Sequence, residues 1–241
     1  MVAARSLLIA LGAFAAAAHA GESLATTERS ATLTSLFAPE DVVGLSKTLP
    51  ADKPVKFRVW LSESKNAGVL VFVSPTDSGE PPPGWLPLLQ QKQLSWIAAD
   101  GFGNQKLSAQ RILAAMMALE LLRQAVPMDL ARAYIGGMSG GGRVASMTAT
   151  RFPQKFSGAL YIVGANFWMP GDARLKQRAA ANRYVFITGE RDFNRSEMKR
   201  VFSRYQSSGL TASLLMDLPA YGHVYPDNVQ LGQAIDFLDA R

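Results

Sequence analysis

From Val55 onward the chain alternates short apolar runs rich in β-branched residues with longer stretches whose apolar positions recur three and four apart. Residues 55–61, 69–73, 94–99, 131–135, 159–163, 184–188 and 212–218 read as strands. The run 69–73 is apolar without interruption, the pattern of a strand buried on both faces. Residues 107–124 read as a helix with Ile112, Met116 and Leu119 on one face and Leu113, Met117 and Leu121 widening it, so it is expected against a sheet. Further helices are expected over 140–151, where Pro153 ends the element, over 196–207 and over 228–239. Strands alternating with helices predict an α/β fold, a mostly parallel central sheet with helices on both faces. Residues 77–85, with Gly79, Pro81, Pro82, Pro83 and Gly84, read as loop. Residues 21–54 are polar and turn-rich, a lead-in without readable periodicity before a single domain over 55–241.

Residues 1–20 have a different pattern. A short segment carrying Arg5 precedes an apolar run over 6–18, which ends in Ala18-His19-Ala20. Such a basic, apolar, small-x-small series reads as a signal peptide removed after Ala20. Its apolar run is shorter than the ~20 residues a spanning helix needs. Export to the periplasm or the medium is therefore expected, with no membrane span after cleavage.

The chain has 241 residues, enough for one α/β domain, and no cysteine, which excludes disulfides, thiolate chemistry and Cys-ligated metal. The net charge is +6, and Arg191, Arg195, Lys199, Arg200 and Arg204 cluster. Their spacing suits the wet face of a helix, and no aromatic residues alternate with them, so no nucleic-acid partner is expected.

The candidate chemistry starts at Gly137-Met138-Ser139-Gly140-Gly141, placed between a strand and a helix. A serine hydroxyl becomes a nucleophile only when it is exposed, reachable by a base and close to donors for an oxyanion. A sharp strand-to-helix turn does this, and it brings backbones so close that side chains at 137 and 141 would clash. The helix starting at Gly140 aims free N–H groups and its positive end at the same point. A phosphate-cradling loop would be followed by Lys-Ser/Thr, which is missing here.

Of the two histidines, His19 lies in the leader, which leaves His223. It sits in Tyr221-Gly222-His223-Val224-Tyr225-Pro226, after the last strand and before the last helix. A lone histidine is often structural, but this glycine-flanked loop suits a general base. Two acids follow the strand before it, in Thr188-Gly189-Glu190-Arg191-Asp192. Asp192 is preferred as the group that orients the imidazole, with Glu190 the alternative. The order Ser139, Asp192, His223 is nucleophile, acid, base.

Residues 55–238 resemble the α/β-hydrolase superfamily. Within it, Asp100-Gly-Phe-Gly-Asn104, the Ser139 elbow, Arg151-Phe-Pro153 and Gly222-His223 are similar to the poly(3-hydroxybutyrate) depolymerase-like and feruloyl/acetylxylan esterase-like group. Such enzymes commonly carry His-Gly after the strand that corresponds to 69–73. Here the residues are Ser74-Pro75-Thr76, and Pro75 has no N–H. The resemblance therefore implies the Thr76 N–H as an oxyanion donor beside Gly140.

The reaction expected is transfer of an acyl group from a carboxylic ester to water, on a small-molecule or polymer-derived substrate. A serine peptidase, an acyltransferase of the same fold and a catalytically idle binding module are the other readings. Phe102, Met138, Phe167 and Trp168 are candidate pocket walls, with Trp85 in the proline-rich loop, and each suits a core position equally well. No metal-ligand spacing and no dinucleotide fingerprint occur, so no cofactor is expected.

Overall fold

The computed structural model describes residues 25–240. The leader expected over 1–20 lies outside the described residues. The strands are β1 (Thr27–Ala31), β2 (Val55–Trp60), β3 (Gly68–Val73), β4 (Leu94–Ala99), β5 (Ala133–Met138), β6 (Gly158–Ile162), β7 (Arg183–Gly189) and β8 (Ser213–Leu218). They form one sheet in the order β1-β2-β4-β3-β5-β6-β7-β8. Strand β2 runs antiparallel to both β1 and β4, and every pair from β4 to β8 is parallel.

The helices are α1 (Leu33–Leu36), α2 (Pro39–Leu45), α3 (Trp85–Gln91), α4 (Ser108–Ala125), α5 (Gly140–Arg151), α6 (Ala173–Ala181), α7 (Arg195–Ser207) and α8 (Asn228–Asp239). Successive side chains of a strand point to opposite faces, and β3 shows how that divides the core. Val69, Val71 and Val73 join Met117 of α4, Val144 of α5 and Tyr205 of α7. Leu70 and Phe72 join Trp85 and Leu89 of α3 with Leu231 and Ile235 of α8. Both faces of β3 are therefore covered, which accounts for its unbroken apolar run.

Three segments differ from the sequence reading. Part of the lead-in over 21–54 joins the sheet: Thr27 to Ala31 pair with Val59 to Val55 at its edge. Only Ala31 of β1 is buried, so the strand has no apolar alternation to read. Helix α1 follows, capped by Thr32, whose hydroxyl accepts the Ser35 N–H at 3.2 Å, and Gln124 of α4 donates to the Leu36 carbonyl at 2.9 Å. Helix α6 buries only Ala179.

The third is α3, which begins at Trp85, the residue read as the end of a loop. Pro87 lies in its first turn, where proline costs no intrahelical hydrogen bond. Trp85 is buried core, and its indole donates to the Pro226 carbonyl at 3.3 Å. Its ring meets Phe72 edge-on at 5.7 Å and Tyr225 at 5.8 Å. The Tyr221 hydroxyl donates to the Val224 carbonyl at 2.7 Å and braces the same segment from within. Tyr225 and Pro226, just after His223, are thus seated on α3. Trp85→Ala is expected to cost about 3–5 kcal/mol, as truncation of a buried aromatic does; the urea midpoint of the variant checks it.

Candidate active site

Strands β3, β5, β7 and β8 are mutually aligned, so the loops that leave their C-terminal ends emerge at one edge of the sheet. Those loops carry Ser74, Ser139, Asp192 and His223 respectively. Ser139 links β5 to α5 with φ 55° and ψ −121°, a backbone conformation that costs about 1–3 kcal/mol outside glycine. The crowding around it explains the glycines. A β-carbon on Gly137 would strike the Gly141 carbonyl, one on Gly141 the Val73 carbonyl, and one on Gly164 the carbonyl of Ser139 itself. Val163, beside Gly164, is also held at positive φ, 47°, which a β-branched residue rarely adopts.

Asp192 and His223 meet directly. Asp192 Oδ1 lies 2.9 Å from His223 Nδ1, and the carboxylate is fully shielded from solvent. It also accepts the Asn194 N–H at 3.0 Å and the Thr188 hydroxyl at 2.6 Å. Asn194 is fixed in turn, donating to the Val163 carbonyl at 2.8 Å and accepting from Arg143 of α5 at 3.1 Å. Glu190, the alternative acid, is exposed and accepts the Ala220 N–H at 3.0 Å. Ser139 Oγ forms no hydrogen bond to His223 or to any other described residue.

Gly140 begins α5 at this edge, where the first N–H groups of a helix have no intrahelical partner. Thr76 is exposed at the same edge, but its N–H donates to Ser74 Oγ at 3.2 Å. Burial pushes the Tyr225 hydroxyl above its ordinary pKa, while a hydrogen bond with the Ser74 side chain works the other way.

Two residues were not found from sequence. Phe193 stacks on the imidazole of His223, with ring centroids 4.1 Å apart and planes 21° from parallel, although 77% of it is exposed. A large exposed aromatic one residue past a candidate acid was the available signal. The second is Arg111, which lies within the apolar helix α4 and is 4% exposed. Its guanidinium donates to the carbonyls of Ser74 at 2.8 Å, Phe102 at 3.0 Å and Gly140 at 3.2 Å. Burial lowers its pKa, yet a guanidinium remains protonated. No carboxylate pairs with it among the described residues. Backbone carbonyls satisfy the charge, and three loops are tied to one planar group.

The four pocket-wall candidates divide between the sheet edge, where Met138 and Phe102 adjoin Ser139 and Arg111, and the length of α5, where Phe167 and Trp168 lie. Met138 is buried with the α3 and α8 side chains, because its side chain alternates away from the α5 face. Phe102 packs against α4 and lines two cavities, one of them beside Ser74 and Arg111. The loop after β6 runs down α5, with the Asn166 N–H on Ser146 Oγ at 2.8 Å. Phe167 consequently lies against Tyr205 and beneath Arg204, and Trp168 beneath Arg151 at the far end of α5. Among the described residues no group of three or more acidic or histidine side chains is placed to hold a metal, and no helix is long and apolar enough to cross a membrane.

This sheet order, with the serine turn after β5 and the histidine loop after β8, is the α/β-hydrolase fold. Solved structures with the same architecture include an S-formylglutathione hydrolase from Staphylococcus aureus, 14% identical, with a TM-score of 0.59 over 88% of this chain and 94% of that one. A ferulic acid esterase is 14% identical, with a TM-score of 0.59 over 90% of this chain and 98% of the other. A dipeptidyl peptidase 4 from Porphyromonas gingivalis is 16% identical, with a TM-score of 0.59 over 89% of this chain but only 35% of its own. No family model and no curated protein matches the chain.

Gly141→Ala is expected to prevent accumulation of folded protein, because the obstructing atom is backbone. Gly171→Ala, with open space around it, is expected to be neutral, and circular dichroism of the pair checks the contrast. Arg111→Met strips the donor from three carbonyls and is expected to cost about 2–4 kcal/mol in urea unfolding. Arg111→Lys, which cannot reach three acceptors at once, is expected to fall between that variant and the parent.

Proposed function

We propose that this protein hydrolyses carboxylic esters through an acyl-enzyme on Ser139, with His223 as general base and acid and Asp192 orienting the imidazole. The observation that carries this reading is the 2.9 Å contact between the buried Asp192 carboxylate and His223 Nδ1, at the sheet edge that holds the strained Ser139. With the Nδ1 proton donated to the carboxylate, Nε2 is the basic nitrogen. Contacts between a catalytic serine and its histidine commonly shorten only when substrate is bound.

In the reaction, Ser139 Oγ attacks the ester carbonyl carbon while Nε2 takes the hydroxyl proton. The carbonyl π pair moves onto oxygen, next to the Gly140 N–H and the positive end of α5. Collapse of the tetrahedral intermediate breaks the bond to the alkoxy oxygen, which receives the proton from Nε2 and leaves as the alcohol. Water then attacks the acyl-enzyme with the same base, releasing the acid and restoring Ser139. Thr76 serves as second oxyanion donor once its N–H leaves Ser74 Oγ. That exchange is favourable because a charged acceptor makes the stronger bond. Arg111, bound to the carbonyls of Ser74 and Gly140, places positive charge behind both donors. Phe193 lies over the imidazole and makes the adjoining rim apolar, which suits an alkyl or aromatic ester.

A second reading, an idle hydrolase-like binding module, is favoured by the unmade Ser139–His223 bond and by the Thr76 N–H turned onto Ser74. A fluorophosphonate probe separates the two. Labelling at Ser139 is expected, with loss in Ser139→Ala and a fall of about 10⁴-fold in p-nitrophenyl ester turnover in Asp192→Asn. Hydrolysis of p-nitrophenyl esters is expected to exceed that of peptide anilides, the reverse order marking a peptidase. A wild-type protein that takes no label and turns over neither substrate leaves the binding module as the reading.

A further inference from the structure

A cavity of about 380 Å³ lies between the turn that leads into β2 and the loop from β4 to α4. Leu49, Pro50 and Phe102 give it apolar walls, and Lys53 and Lys106 reach it from opposite sides of the chain. The ammonium group of neither lysine forms an ion pair or hydrogen bond among the described residues. The carboxylate in the lining, Asp100, is already satisfied: Oδ2 accepts from Arg58 Nε at 2.7 Å and Oδ1 accepts the Gly79 N–H at 2.7 Å. The remaining lysine of the lining, Lys56, is paired with Glu28 at 3.1 Å.

A molecule entering this cavity therefore meets apolar walls and two ammonium groups that nothing among the described residues neutralises. The size is that of a small-ligand pocket, near the lower end of the ~300–1,000 Å³ such sites span. A cation would be repelled, and a neutral apolar molecule would leave both ammonium groups without a partner. A polyanion tracks an open basic stripe with stacking aromatics, which these residues do not form. We propose that the cavity binds a small organic anion with an apolar body, an aromatic or branched carboxylate; it opens at the same end of the sheet as Ser139, Asp192 and His223, but none of those three residues lines it. The two places share one wall. Phe102 lines the cavity, and its carbonyl accepts from the Arg111 guanidinium that also holds Ser74 and Gly140.

Calorimetric titration of the full chain with 2-naphthoate and with its uncharged analogue 2-naphthamide tests this. Naphthoate is expected to bind one per chain and the amide about tenfold more weakly or worse, since two charge contacts are lost. The Lys53→Ala/Lys106→Ala double variant is expected to weaken naphthoate about tenfold and leave the amide unchanged. Both lysines are exposed, so the fold is expected to tolerate the change, and the charge-reversed Lys53→Glu/Lys106→Glu pair repeats the test with a larger effect. Phe193→Ala, which alters the surface over His223, is expected to leave naphthoate binding as it was. Absence of naphthoate binding at millimolar concentration overturns the proposal, as does equal binding of acid and amide. Affinity that survives both lysine pairs, or that disappears in Phe193→Ala, overturns it too, because the ligand then lies elsewhere.

Discussion

The sheet edge depends on a turn with no room for a β-carbon at several of its closest approaches. To hold Ser139 at φ 55° between β5 and α5, the first turn of that helix has to press against the end of β3 on one side and the residues after β6 on the other. The glycines at 137, 141, 142 and 164 mark those contacts, each with a backbone carbonyl where a side chain would begin. The strain is local, and the cover is global. Strands β3, β5 and β6 are buried along their whole length, so the turn is held from both faces of the sheet.

Two buried polar groups then fix what the turn presents. Arg111 ties the loops after β3, β4 and β5 from beneath, using carbonyls in place of a carboxylate. Asp192 fixes the loop after β7 through Thr188 and Asn194, and reaches across to His223. Both charges are removed from water, which is tolerable only when hydrogen bonds surround them. Among the described residues no buried side-chain polar atom lacks a partner. The result is an edge that pairs the acid with the imidazole and carries Ser139 at a strained turn.

Much of this was legible. The parallel strands from β3 to β8, the helix that starts at Gly140 and the helix that closes the chain follow from apolar periodicity, because these elements face a core and their burial repeats in register. The elbow was legible for a different reason: close backbone approach demands glycine, and glycine can be read directly. The first strand was not, since it buries a single residue; α6, which buries only Ala179, is held to the fold by little apolar contact. Helix α3 was concealed by the prolines before it, although Pro87 falls in a first turn that accepts proline.

Composition and local pattern alone determined the layered architecture, the serine turn and the position of the histidine loop, because each of these is written within a few neighbouring residues. Long-range pairing decided the rest. That Asp192 rather than Glu190 meets the imidazole depends on which way a turn rotates two carboxylates only two residues apart. That Arg111 is buried inside an apolar helix depends on carbonyls from three distant loops converging on it, and no spacing in the chain encodes that convergence. The same holds for Phe193 on His223 and for the unneutralised lysines around Leu49 and Phe102: side chains far apart in sequence become neighbours only when the sheet brings the ends of its strands together.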